Sequence, residues 1–231
     1  MRLPGSLLGL LLLAGPSACY QAHTTPRAVD DEMHAHLEAA DRARRAAVFG
    51  RGPEIRRAAE ELAGRGVVVG VPANARRHIY DFRQRARELA ETENLDEAVR
   101  TTPLLAWECG RCHVASRATP VASIPSGAVP GGEGTERHAA RLGWALERLW
   151  EGVQGPSEVS WELGAQALDD SASVAEGIRE GVRPVAQPGE TADRLLALAW
   201  QGGRTGEARE QARLLGEIVL TCARCHTALR D

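Results

Sequence analysis

The chain has 231 residues, a net charge of −3 and a pI near 6.2, which excludes the basic footprint of a nucleic-acid binder. Aromatics are sparse at 4%, and alanine, leucine, glutamate and arginine dominate, a composition suited to helices better than sheets. All 28 cationic residues are arginine, a compositional bias to which no site is attached, and the length allows one large domain or two of about a hundred residues each.

The opening stretch, "MRLPGSLLGLLLLAGPSACY", has one positive charge and an apolar run from Leu7 to Ala14. A bilayer span takes about 20 apolar residues, so residues 1–18 read as a secretory signal segment. "PSAC" before Cys19 resembles a bacterial lipoprotein processing box, with Pro16 where such boxes usually carry Leu. The expectation is an exported protein whose Cys19 is lipidated and which sits in the periplasm or on the outer face of the envelope. Its membrane anchor is then acyl chain, each buried CH₂ contributing about 0.8 kcal/mol. Residues 19–29 form a tether.

Helical periodicity begins at about Asp30. Helix A runs to Phe49 and is stopped by Gly50 and Gly52; helix B starts at Pro53, a good first-turn residue, and ends near Ala63. "GVVVGV" at 66–71 is taken as a connection. Helix C covers 73–92, with Ile79, Phe82, Ala86 and Leu89 on one stripe. Helix D carries "TTPLLAWECGRCH", with Thr102 as N-cap and Pro103 at the first helical position. Residues 118–134 are a Pro- and Gly-rich linker. The second half repeats the plan: helix A over 136–151, helix B from Pro156 to Leu168, a short extra helix near 172–182, helix C over 190–200 and helix D from Glu207 to the end. The expected fold is all-α, two tandem four-helix bundles at 30–117 and 135–231.

Four of the five cysteines lie in two pentapeptides, "CGRCH" at 109–113 and "CARCH" at 222–226. Cys-x-x-Cys-His is the attachment sequence of c-type haem. On a helix, residues i, i+3 and i+4 share a face, so two thiols and an imidazole project together. Cys109, Cys112, Cys222 and Cys225 would bond the vinyl groups of two haems, and His113 and His226 would be the proximal iron ligands. A zinc site or a redox-active dithiol also uses such cysteines. Neither explains a histidine after both pairs, and no thioredoxin-like βαβ pattern is visible.

Beyond the histidines the motifs read "CGRCHVASR", ending at Arg117, and "CARCHTALR", ending at Arg230. Cys-x-x-Cys-His-x-x-x-Arg/Lys on the last helix of a bundle resembles the cytochrome c′ family. The resemblance implies a haem bundle in each half, haem-binding positions at Arg117 and Arg230, and association as a homodimer. It also implies a distal face that is open or lined by apolar residues.

The histidines speak against an open distal face. Met33 is the only methionine after the initiator, so at most one haem could be Met-ligated. His36 heads the stripe Ala40, Ala43, Ala47, and His138 heads Leu142, Ala145, Leu149, at identical offsets. Each stands fourteen residues before a glycine, Gly50 or Gly152. A lone histidine on an apolar stripe is usually structural, but repetition in both halves points to distal ligation by His36 and His138, with Met33 the rival to His36. His34 shares a solvated face with Glu38, Asp41 and Arg45; His78 and His23 are expected at the surface. Trp107 is expected against haem or the helix A–D interface, and Trp144, Trp150, Trp161 and Trp200 in the core.

The expected function is single-electron transfer between redox partner proteins by an exported dihaem cytochrome, not an enzyme, because iron with two histidines has no open coordination site. The alternatives are a five-coordinate sensor or scavenger of NO or CO and, less favoured, a dihaem peroxidase. The peroxidase needs a distal acid–base group, and none is evident.

Overall fold

The structure is a computed structural model that describes residues 26–65, 71–118, 128–170 and 188–230. Cys19, His23 and the short helix expected near 172–182 lie outside the described residues.

Among the described residues the regular elements are helices alone: α1 (Pro26–Val48), α2 (Gly52–Gly64), α3 (Ala73–Glu91), α4 (Leu95–Ser116), α5 (Thr135–Gln154), α6 (Glu158–Asp169), α7 (Pro188–Gly202) and α8 (Ala208–Ala228). The class is all-α, as the composition implies. The boundaries follow local chemistry. Ser157 caps α6 by accepting from the Ser160 N–H, and the Glu207 carboxylate caps α8 by accepting from Arg209 and Glu210.

The start of helix D differs from expectation. Helix α4 begins at Leu95, capped by the Asn94 side chain, which accepts from the Glu97 N–H; Pro103 therefore lies inside the helix. The expected cap, Thr102, is fully buried, and its hydroxyl donates 2.7 Å to the Ala98 carbonyl one turn back. An interior proline costs about 3 kcal/mol, more than the roughly 1 kcal/mol of the Asn94 cap; burial of Ala98, Val99 and Thr102 in the added turns works with the cap to offset it.

Neighbouring helices pack in chain order, α1 on α2, α2 on α3, α3 on α4, then α5 on α6, α6 on α7 and α7 on α8. Helix α1 also touches α4, and α5 touches α8. The halves are joined by a broad contact of α4 with α8 and by smaller contacts of α4 with α5 and of α1 with α8. One apolar cluster consequently runs through both halves, from Ala39, Ile55, Leu62 and Phe82 to Leu149, Trp161, Leu198, Leu215 and Ile218. The two motif-bearing helices are the centre of the molecule, and they pack backbone to backbone: a Cβ on Gly216 would lie 2.3 Å from the Arg100 carbonyl oxygen.

This pair is antiparallel. The Arg100 guanidinium holds Glu217 at 2.8 Å, Arg224 pairs with Asp96, and the Arg209 guanidinium lies 5.5 Å from the centre of the Trp107 ring. Residues late in α8 thus face residues early in α4, and the reverse.

Trp150 and Trp161 are buried as expected, and the Trp161 indole donates 2.8 Å to the Gly202 carbonyl. Trp200 is not core: it is 55% exposed, with the Arg204 guanidinium 3.7 Å above its ring. Trp107 carries the Arg111 guanidinium at 4.8 Å and the Arg209 guanidinium, from α8, at 5.5 Å from its ring centre. An indole flanked by guanidiniums gains cation–π attraction that a fully buried one lacks.

Candidate functional site

Both pentapeptides lie in the last two turns of their helices, where the i, i+3, i+4 spacing sets the two cysteines and the histidine on one side. Cys109, Cys112, Cys222 and Cys225 are free thiols, half-buried at the edge of the core. Burial pushes the thiols of Cys109 and Cys222 up to about 12, with their partner cysteines adding to the rise; burial also raises Cys112 and Cys225. A dithiol oxidoreductase needs the opposite, a cysteine at a helix N-terminus with a depressed pKa. A zinc site needs its thiolates together. Among the described residues, the one group of three or more His, Cys, Asp or Glu donors within 4.8 Å of each other is His78, Asp81 and Glu108, without a cysteine.

Each motif is completed by the opposite half of the chain. The His113 imidazole lies with Nδ1 3.0 Å from the carbonyl oxygen of Gln154, at the C-terminal end of α5. Close approach there requires Gly110: a Cβ at that position would sit 2.5 Å from the Val153 carbonyl oxygen. At the other motif the small residue is on the receiving side. Gly50, just past the end of α1 with φ +62°, is placed so that a Cβ would meet Thr227 at 2.9 Å and the Ala223 carbonyl at 3.2 Å. The Phe49 ring stacks on His226 with centres 4.6 Å apart and planes tilted 49°. Arg230 donates to the Phe49 and Gly50 carbonyls, whereas Arg117 is an exposed left-handed C-cap with φ 53°. Two arginines alike in sequence therefore differ in role.

Burial depresses both motif imidazoles; the Gln154 carbonyl opposes it at His113 and the Arg230 charge reinforces it at His226. Neutral imidazole is the form that binds iron. With Nδ1 of His113 turned to a carbonyl, Nε2 is the nitrogen left for a metal, the tautomer and ring plane being set by that acceptor. Thiols, imidazole and helix face thus fit a c-type haem at each motif.

His36 and His138 are both buried, 9% and 7% exposed, and their stripes Ala40, Ala43, Ala47 and Ala145, Leu149 are buried with them. His36 Nδ1 lies 2.8 Å from the Glu32 carbonyl oxygen one turn back, and its ring centre is 6.0 Å from that of Phe82. His138 Nδ1 is enclosed without a hydrogen-bond partner among the described residues. Met33, the rival ligand, is 37% exposed on α1.

One expectation is overturned outright. His78 is not a surface residue but 7% exposed, with Nδ1 lacking a hydrogen-bond partner among the described residues. It stands beside Asp81 and Glu108, and Arg111 bridges these two carboxylates at 3.3 and 2.7 Å. Glu108, immediately before Cys109, is 2% exposed, and burial raises its pKa against the pull of Arg111. A cavity of about 250 Å³ opens on the cluster, lined by Asp81, Arg85, Trp107, Glu108, Arg111 and Arg209 among others. The helix C stripe runs through Ile79 and Phe82, so His78 falls one position off it; only the docking of α4 closes over that edge.

Comparison with protein-family models, curated proteins and solved structures found no match. Among the described residues, no helix is long and apolar enough to cross a membrane.

Proposed function

We propose that the chain is an exported, lipid-anchored dihaem c-type cytochrome that carries single electrons between partner proteins, each half a four-helix haem bundle of the cytochrome c′ kind. The observation that carries this reading is that each Cys-x-x-Cys-His sets two thiols and a partly buried imidazole on one helix face, the His113 ring being oriented by the Gln154 carbonyl. When bound, haem supplies a one-electron iron centre, and the protein tunes it through ligands, hydrogen bonds and burial.

The chain's own residues have separable tasks. Cys109 and Cys112 on α4, and Cys222 and Cys225 on α8, would hold a haem at each motif through thioether bonds from their thiols to its vinyl groups. His113 and His226 would be the proximal iron ligands, His113 through Nε2, since its Nδ1 faces the Gln154 carbonyl. His36 and His138, buried on the apolar stripes of α1 and α5, would supply the second imidazole to each iron. The surrounding alanine and leucine side chains exclude water, which limits reorganisation when charge changes.

Two buried histidines disfavour the gas-binding reading, whose distal wall is apolar or open. The test is absorption and EPR spectroscopy of protein matured with a working haem-attachment system, with two haems per chain measured by mass. Low-spin spectra that become high-spin in His36→Ala and His138→Ala support the carrier. A high-spin spectrum in the unmutated protein, with rapid CO binding, overturns it in favour of the sensor.

A further inference from the structure

Resting on the dihaem reading, we infer that the two haem sites are separate one-electron ports at opposite ends of the central helix pair, not a relay in which one haem feeds the other. The antiparallel register of α4 and α8 sets this separation. Arg224 reaches Asp96 in the first turn of α4, and Arg209 in the first turn of α8 reaches Trp107, close to the other motif. Between them Gly216 crosses Arg100 in backbone contact, which pins the register. His226 follows Arg224 and so lies level with or beyond the start of α4, while His113 stands near its end. At 1.5 Å rise per residue the two imidazoles are roughly 25–30 Å apart along the pair. A haem held on each imidazole would be held at that imidazole's own end of the pair.

The receiving ends agree with this placement. His113 docks on the C-terminal end of α5 and His226 on Phe49 at the C-terminal end of α1. The N-terminal end of α4 is where α1 ends and α2 begins, since Leu95 stands 3.4 Å from where a Cβ on Gly52 would lie. His226 and its phenylalanine are therefore at the pole that His113 points away from.

Electron tunnelling falls off exponentially with distance, and a gap of this size makes transfer through the chain slow compared with exchange at a docked partner. Each site then serves a partner at its own pole. The poles differ in chemistry. A cavity of about 350 Å³ beside Phe49 is lined by Arg42, Arg45, Arg51 and Arg57 against Glu54 and Glu61, whereas acidic and basic groups balance around the cavity at Glu108.

The test uses intact holoprotein shown to carry two haems per chain, together with the single-haem variants Cys109→Ala/Cys112→Ala and Cys222→Ala/Cys225→Ala. The expected EPR spectrum of the oxidised protein is the sum of the two single-haem spectra, without splitting or exchange broadening, and each midpoint potential is unchanged by the absence of the other haem. If a variant does not fold, the spectrum of the intact protein at half reduction replaces it, and the remaining ferric signal should keep its shape. Splitting, broadening or mutually dependent potentials in a protein with two haems overturn this inference alone. A chain with no covalent haem overturns the underlying reading and this inference with it.

Discussion

His113 of the first half lies with Nδ1 3.0 Å from the main-chain oxygen of Gln154 in the second half. The acceptor is backbone, so its strength depends on where α5 ends and not on the glutamine side chain. Gln154→Ala should leave haem content and visible spectrum unchanged. Gly110→Ala should not, because its Cβ would press on the Val153 carbonyl at 2.5 Å. We expect a loss of about 1–3 kcal/mol from overpacking, measured as a lower midpoint of thermal unfolding and reduced haem incorporation.

Gly216 offers a check on the helix pair itself. A methyl group there would meet the Arg100 carbonyl at 2.3 Å, and neither backbone can yield without separating α4 from α8. Gly216→Ala is expected to lower the thermal midpoint by several degrees, at roughly 2–4 °C per kcal/mol for a chain of this size. An unchanged melting curve contradicts the close crossing.

Trp161 joins α6 to the end of α7 through its bond to Gly202 and packs where Gly152 leaves room on α5. Trp161→Ala removes a buried indole and strands a carbonyl, at a cost of about 3–5 kcal/mol. Trp200→Ala, at an exposed site, should stay within about 0.5 kcal/mol of the parent. Equal effects of the two variants in denaturant titrations would contradict their assigned places.

Arg230 places positive charge over the end of α1 beside His226, while His113 gives its N–H to a carbonyl. Positive charge favours reduced iron, and a hydrogen-bonded, more basic imidazole favours oxidised iron. If each motif carries haem as proposed, potentiometric titration should show two one-electron waves, with the one from the α8 motif higher. Arg230→Leu should move that wave down and leave the other in place.

Glu108 gives a pH dependence with a defined sign. Burial raises its pKa above the ordinary carboxylate value, with Arg111, Arg85, Asp81 and His78 around it. The folded state therefore holds this proton more tightly than the unfolded chain. Its favourable contribution is fully present below the unfolded pKa and is lost as pH rises through the folded one. Glu108→Gln should flatten that limb of the stability curve, measured by urea unfolding between pH 4 and 8.

Sequence alone determined what depends on neighbours within a few residues. Helical periodicity, glycine stops, the shared face of two thiols and an imidazole, and the buried stripes headed by His36 and His138 are consequences of a 3.6-residue repeat. Even there, the Asn94 cap was masked by a stronger Thr-Pro signal at Thr102 and Pro103. Tertiary structure decided everything set by which surfaces meet. His78 is buried because α4 covers the edge of the α3 stripe, and Trp200 is exposed because no helix among the described residues covers it. The matching arginines at 117 and 230 diverge because only one finds free carbonyls at the end of α1. The same holds for the exchange in which each motif rests on the other half: apolar stripes state that a face must be covered, while backbone contacts such as Gly216 on Arg100 and Gly110 on Val153 select the helix that covers it.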